Sequence, residues 1–184
     1  MSDWLVSRDS PSWGGRATES APSADGGAGE RGLRGGHFSD SLVVEGPGST
    51  LRLDAAELVR LADFQTGPVQ VCCFSGRPIR EIGRLRGVPL AKLLDLAGMA
   101  ALPRSRSKQL VVAAEARDGY VCLFSWHELY NTALGAGAVV AVEQDGVLLP
   151  AAAGGLQLLS LGDRTLGPRQ ASALWRVAVR SWGE

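Results

Sequence analysis

Short β-rich runs separated by tight turns, with no regular βαβ rhythm, constrain this chain more than any other feature of its sequence. Gln109 to Ala114 (QLVVAA) and Tyr120 to Phe124 (YVCLF) flank Arg117-Asp118-Gly119. Asp-Gly between two such runs is a hairpin signal, because the tight turn needs positive φ angles that these residues tolerate. Val139 to Glu143, Asp145-Gly146 and Val147 to Leu149 repeat the pattern. Ser41 to Glu45 and Thr50 to Leu53 read as strands joined by Gly46-Pro47-Gly48. Val69 to Phe74 (VQVCCF) is short and apolar and reads as a buried strand. Leu156 to Leu161 and Trp175 to Val179 read as closing strands.

The helices between these strands are short. Asp54-Ala-Ala-Glu57 is a capping box that opens one through Leu61. Pro89 suits the first turn of a second, where its missing N–H costs nothing. Leu90, Leu93, Leu94 and Ala97 carry its apolar face, and Gly98 stands at its C′ position. Ser125-Trp-His-Glu128 opens a third, expected to run to about Leu134. Ser75 to Arg86 reads as a polar, arginine-rich stretch. The sum, roughly nine strands and three short helices, predicts a β-rich mixed α+β domain rather than a doubly wound sheet.

Order is expected from residue 38 to residue 184. Residues 1–37 are rich in Gly, Ser, Pro, Ala and charge, without periodicity, and predict a flexible tail. Lys plus Arg and Asp plus Glu number 19 each, so the net charge is zero and nothing points to nucleic acid. No apolar run approaches the roughly 20 residues that span a bilayer. Arg8, Asp9 and Ser10 follow Met1 to Val6 at once, with no signal-peptide core and no twin arginine. The cytoplasm is therefore the expected compartment. The three cysteines, Cys72, Cys73 and Cys122, are odd in number and include an adjacent pair. They predict reduced thiols rather than a disulfide framework.

Four stretches, in order, resemble the molybdopterin-binding domain of the sulfite oxidase family, which includes the catalytic subunits of bacterial protein-methionine-sulfoxide reductases. They are VQVCCFSGRPIR, GVPLAKLLDLAG, ARDGYVCLFSWHEL, and AVEQDGVLLPAAAGGLQLLS followed by LGPRQASALWRVAV. The match covers about Leu42 to Val179. It implies a sulfite oxidase-like fold and a molybdenum cofactor (Mo-molybdopterin) whose metal is ligated by the Cys73 thiolate. A soft thiolate suits a redox metal. The resemblance also implies that Ser75, Arg77, Arg80 and Arg169 surround the pterin and its phosphate, and that Tyr120 joins Cys73 at the reacting centre. Guanidinium forks suit phosphate. The expected activity is oxygen-atom transfer to or from a small-molecule substrate, with electrons exchanged through a separate partner protein, since there is no C-x-x-C-H haem signature.

The sequence also departs from the family pattern. His37 is the one candidate for the N-terminal pterin-holding element, Gln157 stands where the family has an arginine, and Ser172 where it has a lysine. Each loss removes a cation or a donor, and a hydrogen bond to a charged group contributes about 1.5–3 kcal/mol. The alternative reading is therefore a non-catalytic binding or assembly module that keeps the fold with a weakened cofactor site. A thiol enzyme using Cys73 with His127 as base, and a zinc site from Cys72, Cys73, Cys122 and His127, are further alternatives.

Overall fold

The computed structural model describes residues 36–73 and 75–181. The tail expected over residues 1–37 lies outside them except for its last two positions. Chain order begins with β1 (Ser41–Glu45), β2 (Thr50–Asp54), α1 (Ala55–Leu61), β3 (Phe64–Gln65), β4 (Val69–Cys72), β5 (Pro78–Ile82), β6 (Leu85–Pro89) and α2 (Leu90–Leu96). It continues through α3 (Arg104–Ser107), β7 (Leu110–Ala116), β8 (Val121–Ser125), α4 (Trp126–Asn131), α5 (Ala133–Ala136), β9 (Ala138–Gln144) and β10 (Val147–Leu148). β11 (Gln157–Ser160), β12 (Ala171–Ser172) and β13 (Leu174–Ser181) close the domain, and short 3₁₀ turns occupy Met99–Ala101, Ala151–Ala153 and Gly167–Arg169.

The architecture is mixed α+β with β-rich sheets. One sheet has the order β2-β1-β13-β7-β8, and its β1–β13 pair is parallel while its other pairs are antiparallel. The other has the order β12-β11-β9-β6-β3, with β10 also on β9. The main core lies where Leu42, Val44, Val112, Phe124 and Val177 of the first sheet meet Val88, Val140, Val142 and Leu158 of the second. Leu58 of α1, Leu90, Leu93 and Leu94 of α2 and Leu129 of α4 complete it. A smaller apolar cluster joins Val71 and Ile82 to Ala141, Leu159, Leu149 and Leu166. Alternation along β11 sends Leu158 into the main core and Leu159 into this second one. The second sheet is therefore covered on both faces, which explains the continuous apolar run AVVAV in β9.

The helices start where the capping residues predict. Asp54 accepts from the Glu57 N–H at 2.7 Å, and Glu57 accepts in return from the Asp54 N–H at 2.9 Å. Pro89 is the N-cap of α2 rather than its first residue, because it still belongs to β6. Gly98 follows α2 with φ +99, and a Cβ there would stand 2.8 Å from the Gly48 Cα, so both the backbone angle and the close approach require glycine.

Three expectations need correction. The described residues contain thirteen strands and five α-helices, more than the nine and three expected. The arginine-rich stretch, to which no element was assigned, contributes β5 and the start of β6. Only Ile82 of β5 is buried, and it and Leu85 join the second core while Arg77, Arg80 and Arg84 are exposed, so the stretch carries little apolar signal. The helix expected to reach Leu134 ends at Asn131, and Thr132 is extended (φ −133, ψ 163) before α5. The Thr132 hydroxyl explains the break: it donates to the Glu128 carbonyl at 2.8 Å and accepts from the Leu134 N–H at 3.2 Å.

The cysteine strand also differs from expectation. β4 pairs only with β5, as a two-stranded hairpin outside the two large sheets. Val71 is buried, but Gln70 is exposed and Cys72 and Cys73 are half-buried. Cys72 is thus not a core residue. The hairpin seats Val71 and Ile82 on the second core and leaves its far end in solvent.

Candidate functional site

The far end of that hairpin carries Cys73. A register shift between Val71 and Cys72 breaks the strand alternation just before it. The Cys73 N–H donates to the Arg77 carbonyl at 2.9 Å, and the Gly76 N–H donates to the Cys73 carbonyl at 2.8 Å. These two bonds close a small loop, with Gly76 at φ +81. Within it the Cys73 Sγ lies 3.0 Å from the Ser75 Oγ. The Ser75 hydroxyl, aided by the backbone of Ser75 and by the backbone and side chain of Arg77, lowers the Cys73 pKa from 9.0 to about 7. The thiolate, the form that binds metals and attacks electrophiles, is therefore more available near neutral pH than in an ordinary cysteine. Arg77 and Arg80 are exposed and form no ion pair among the described residues.

The turn Gly167–Arg169 packs against this corner. A Cβ on Gly167 would stand 2.4 Å from the Cys72 carbonyl oxygen and 3.7 Å from Ile79 Cδ1. Tyr120, which follows the Asp118-Gly119 turn, donates its hydroxyl to the Pro168 carbonyl. The fold thus brings together Cys73, Ser75 and Arg77 in one loop, and brings Tyr120 and Arg169 to the turn that touches it. The desolvation that Tyr120 experiences raises its pKa, so the hydroxyl is a proton donor at neutral pH.

Arg169 faces inward. Its Nε donates to Asp163 Oδ2 at 2.7 Å and its Nη2 to Asp163 Oδ1, a bidentate pair. Its Nη1 donates to Glu128 Oε1 at 3.1 Å and to the Leu123 carbonyl at 3.4 Å. The guanidinium also lies over the Phe124 ring, 4.7 Å from its centroid. Glu128 is itself fixed, since its Oε2 accepts from the Ser125 N–H at 2.7 Å and the Ser125 hydroxyl at 3.0 Å. Burial alone would raise the Glu128 pKa, but Ser125 and Arg169 outweigh it and hold the carboxyl below its ordinary range. Two carboxylates therefore neutralise Arg169, the residue the sequence offered for a phosphate.

The last arginine of the arginine-rich stretch and the other residues singled out above lie in other settings. Arg86 donates to Glu143 at 2.8 Å and to the carbonyls of Val59 and Ala62, which ties α1 to β6 and β9. Gln157 is buried and satisfied: it donates to the Ala153 carbonyl and accepts from Gln170, each at 2.9 Å. His37 is exposed. His127 is also exposed, edge-on to Trp126 at 5.2 Å. Cys122 is buried beneath the first sheet, and desolvation raises its pKa to about 11. Among the described residues no group of three or more His, Cys, Asp or Glu side chains is placed to hold a metal, so the zinc site weighed from the sequence does not assemble.

Sequence reasoning missed Asp163, Glu128 and Gly167. The Gly167-Pro168 dipeptide was the available signal for a tight turn. No local pattern announces that Asp163 and Glu128 converge on Arg169. No family model matches the chain, and no curated protein matches it.

Proposed function

We propose that this domain is a molybdenum-pterin-dependent oxidoreductase that transfers an oxygen atom to or from a small substrate, with the Cys73 thiolate as its metal ligand. The observation that carries the reading is the Cys73 loop: a half-buried thiol beside the Ser75 hydroxyl, with a pKa lowered to about 7. That donor chemistry fits the metal end of a molybdenum cofactor, because a soft thiolate is available without displacing a structural partner. Arg77 and Arg80, exposed and unpaired among the described residues, fit its phosphate.

When bound, the group supplies the two-electron oxygen-transfer chemistry, with electrons exchanged through a separate partner protein. The chain's own residues do the rest. Ser75 stabilises the thiolate, and the Cys73–Arg77 backbone bond fixes the loop. Arg169 acts through the turn it anchors, since its own charge is already met by Asp163 and Glu128. We assign the protein to the cytoplasm, where Cys72, Cys73 and Cys122, all unpaired, keep their thiols. No helix among the described residues is long and apolar enough to cross a membrane.

A second reading, a binding or assembly module that keeps the fold without the cofactor, is favoured by the neutralised Arg169 and the internally bonded Gln157. Pterin analysis separates the two. Protein purified from cofactor-replete cells, denatured and oxidised, is expected to release a fluorescent pterin. Release of none from folded protein would sink the first reading and favour the second.

A further inference from the structure

We propose that Tyr120 and Gly167 form a latch that holds the 167–169 turn on the Cys72–Cys73 corner and so sets how far that corner is exposed. The latch as a device for presenting a ligand rests on the reading of Cys73 above.

The turn is pinned from three sides. Leu166, just before it, is buried in the second core together with Val71 of the cysteine hairpin. Arg169, its last residue, is held by Asp163 and Glu128. Pro168, at its crest, offers its carbonyl to the Tyr120 hydroxyl, across from the β7–β8 turn. The Tyr120 N–H in turn donates to Asp118 Oδ1 at 2.9 Å, which ties the residue's backbone to the β7–β8 turn. Between the two anchored ends, Gly167 lies so close to the Cys72 carbonyl that a Cβ would stand 2.4 Å from it. A side chain at this position must displace the turn or the cysteine corner.

Tyr120 is only partly exposed, at 39%, and Pro168 is a surface residue. The bond between them therefore adds little to the core. Its effect is local: it closes the turn over the Cys72 peptide, and the next residue in the chain carries the thiol. Tyr120 and Gly167 are positioning residues in this account, since neither needs to touch a reacting atom.

The test is alkylation of the purified full chain with iodoacetamide, read separately at each cysteine by mass spectrometry. Tyr120→Phe removes only the hydroxyl and is expected to raise Cys72 labelling about fivefold, the ratio set by loss of one ordinary hydrogen bond, with Cys122 labelling unchanged. Gly167→Ala is expected to raise Cys72 labelling at least as much by forcing the turn away. Unchanged Cys72 labelling in Tyr120→Phe would overturn the latch. A parallel rise at Cys122 would also overturn it, because that marks general opening of the domain rather than release of one turn. Cys72 is not assigned to the metal, so this result and the metal reading can fail independently.

Discussion

The Cys73 Sγ and the Ser75 Oγ stand 3.0 Å apart across the loop that ends the cysteine hairpin. This contact is the largest cause of the lowered Cys73 pKa, about 7 against an ordinary 9.0. Iodoacetamide attacks the thiolate, so the Cys73 labelling rate is expected to rise with pH through a midpoint near 7. Ser75→Ala is expected to move that midpoint upward towards the ordinary value. A midpoint that stays in place would show that the hydroxyl does not stabilise the thiolate.

The three thiols should differ in a fixed order. Cys122 is buried, with a pKa raised to about 11, while Cys73 is half-buried and acidic. At neutral pH Cys73 is expected to react fastest. Cys122 is expected to react only as fast as the domain opens, so its labelling reports global stability. Mass spectrometry at each site checks the order, and fast labelling of Cys122 in folded protein would contradict the packing described for β8.

Arg169 should matter to stability even without any ligand. Arg169→Ala leaves Asp163 and Glu128, both part-buried, without their cation. The expected cost is about 2 kcal/mol, within the range for hydrogen bonds to charged groups. Chemical denaturation measures it as a lower midpoint at unchanged slope. The sign with pH follows from Glu128, whose folded pKa lies below its ordinary value of 4.5. Its contribution is present above that ordinary value and is lost as pH falls through the lowered one. The gap between wild type and Arg169→Ala is therefore expected to narrow on acidification below about pH 4.5.

The fold was legible wherever one residue type decides a local conformation. Asp54 and Ser125 announced their capping boxes, and Asp118-Gly119 and Asp145-Gly146 announced their hairpins. β5 was not legible, because every residue of it but Ile82 is exposed and it carries little apolar signal. The short strands β3 and β12, two residues each, were also beyond reach, since only their partners in the sheet define them. At the site, Cys73, Ser75 and Arg77 are close in sequence and came out together. The environment of Arg169 did not, because Glu128 is 41 residues away and meets it only once the sheets have packed.

The cap of α4 should contribute measurably to stability. Ser125→Ala removes the N-cap of α4 and one of the groups that orient Glu128 towards Arg169. The expected loss is about 1 kcal/mol, as for other N-caps, read as a lower thermal midpoint. A loss near zero would show that Glu128 keeps its place without the cap.

Metal ligation by the Cys73 thiolate underlies the proposed function. Its most direct test is the molybdenum content per chain, by elemental mass spectrometry, of folded wild-type, Cys72→Ser and Cys73→Ser proteins from molybdenum-replete cells. Near-stoichiometric molybdenum is expected in the wild type and in Cys72→Ser, and its loss in Cys73→Ser. Wild-type protein that is folded yet free of molybdenum, or molybdenum retained in Cys73→Ser, would contradict it.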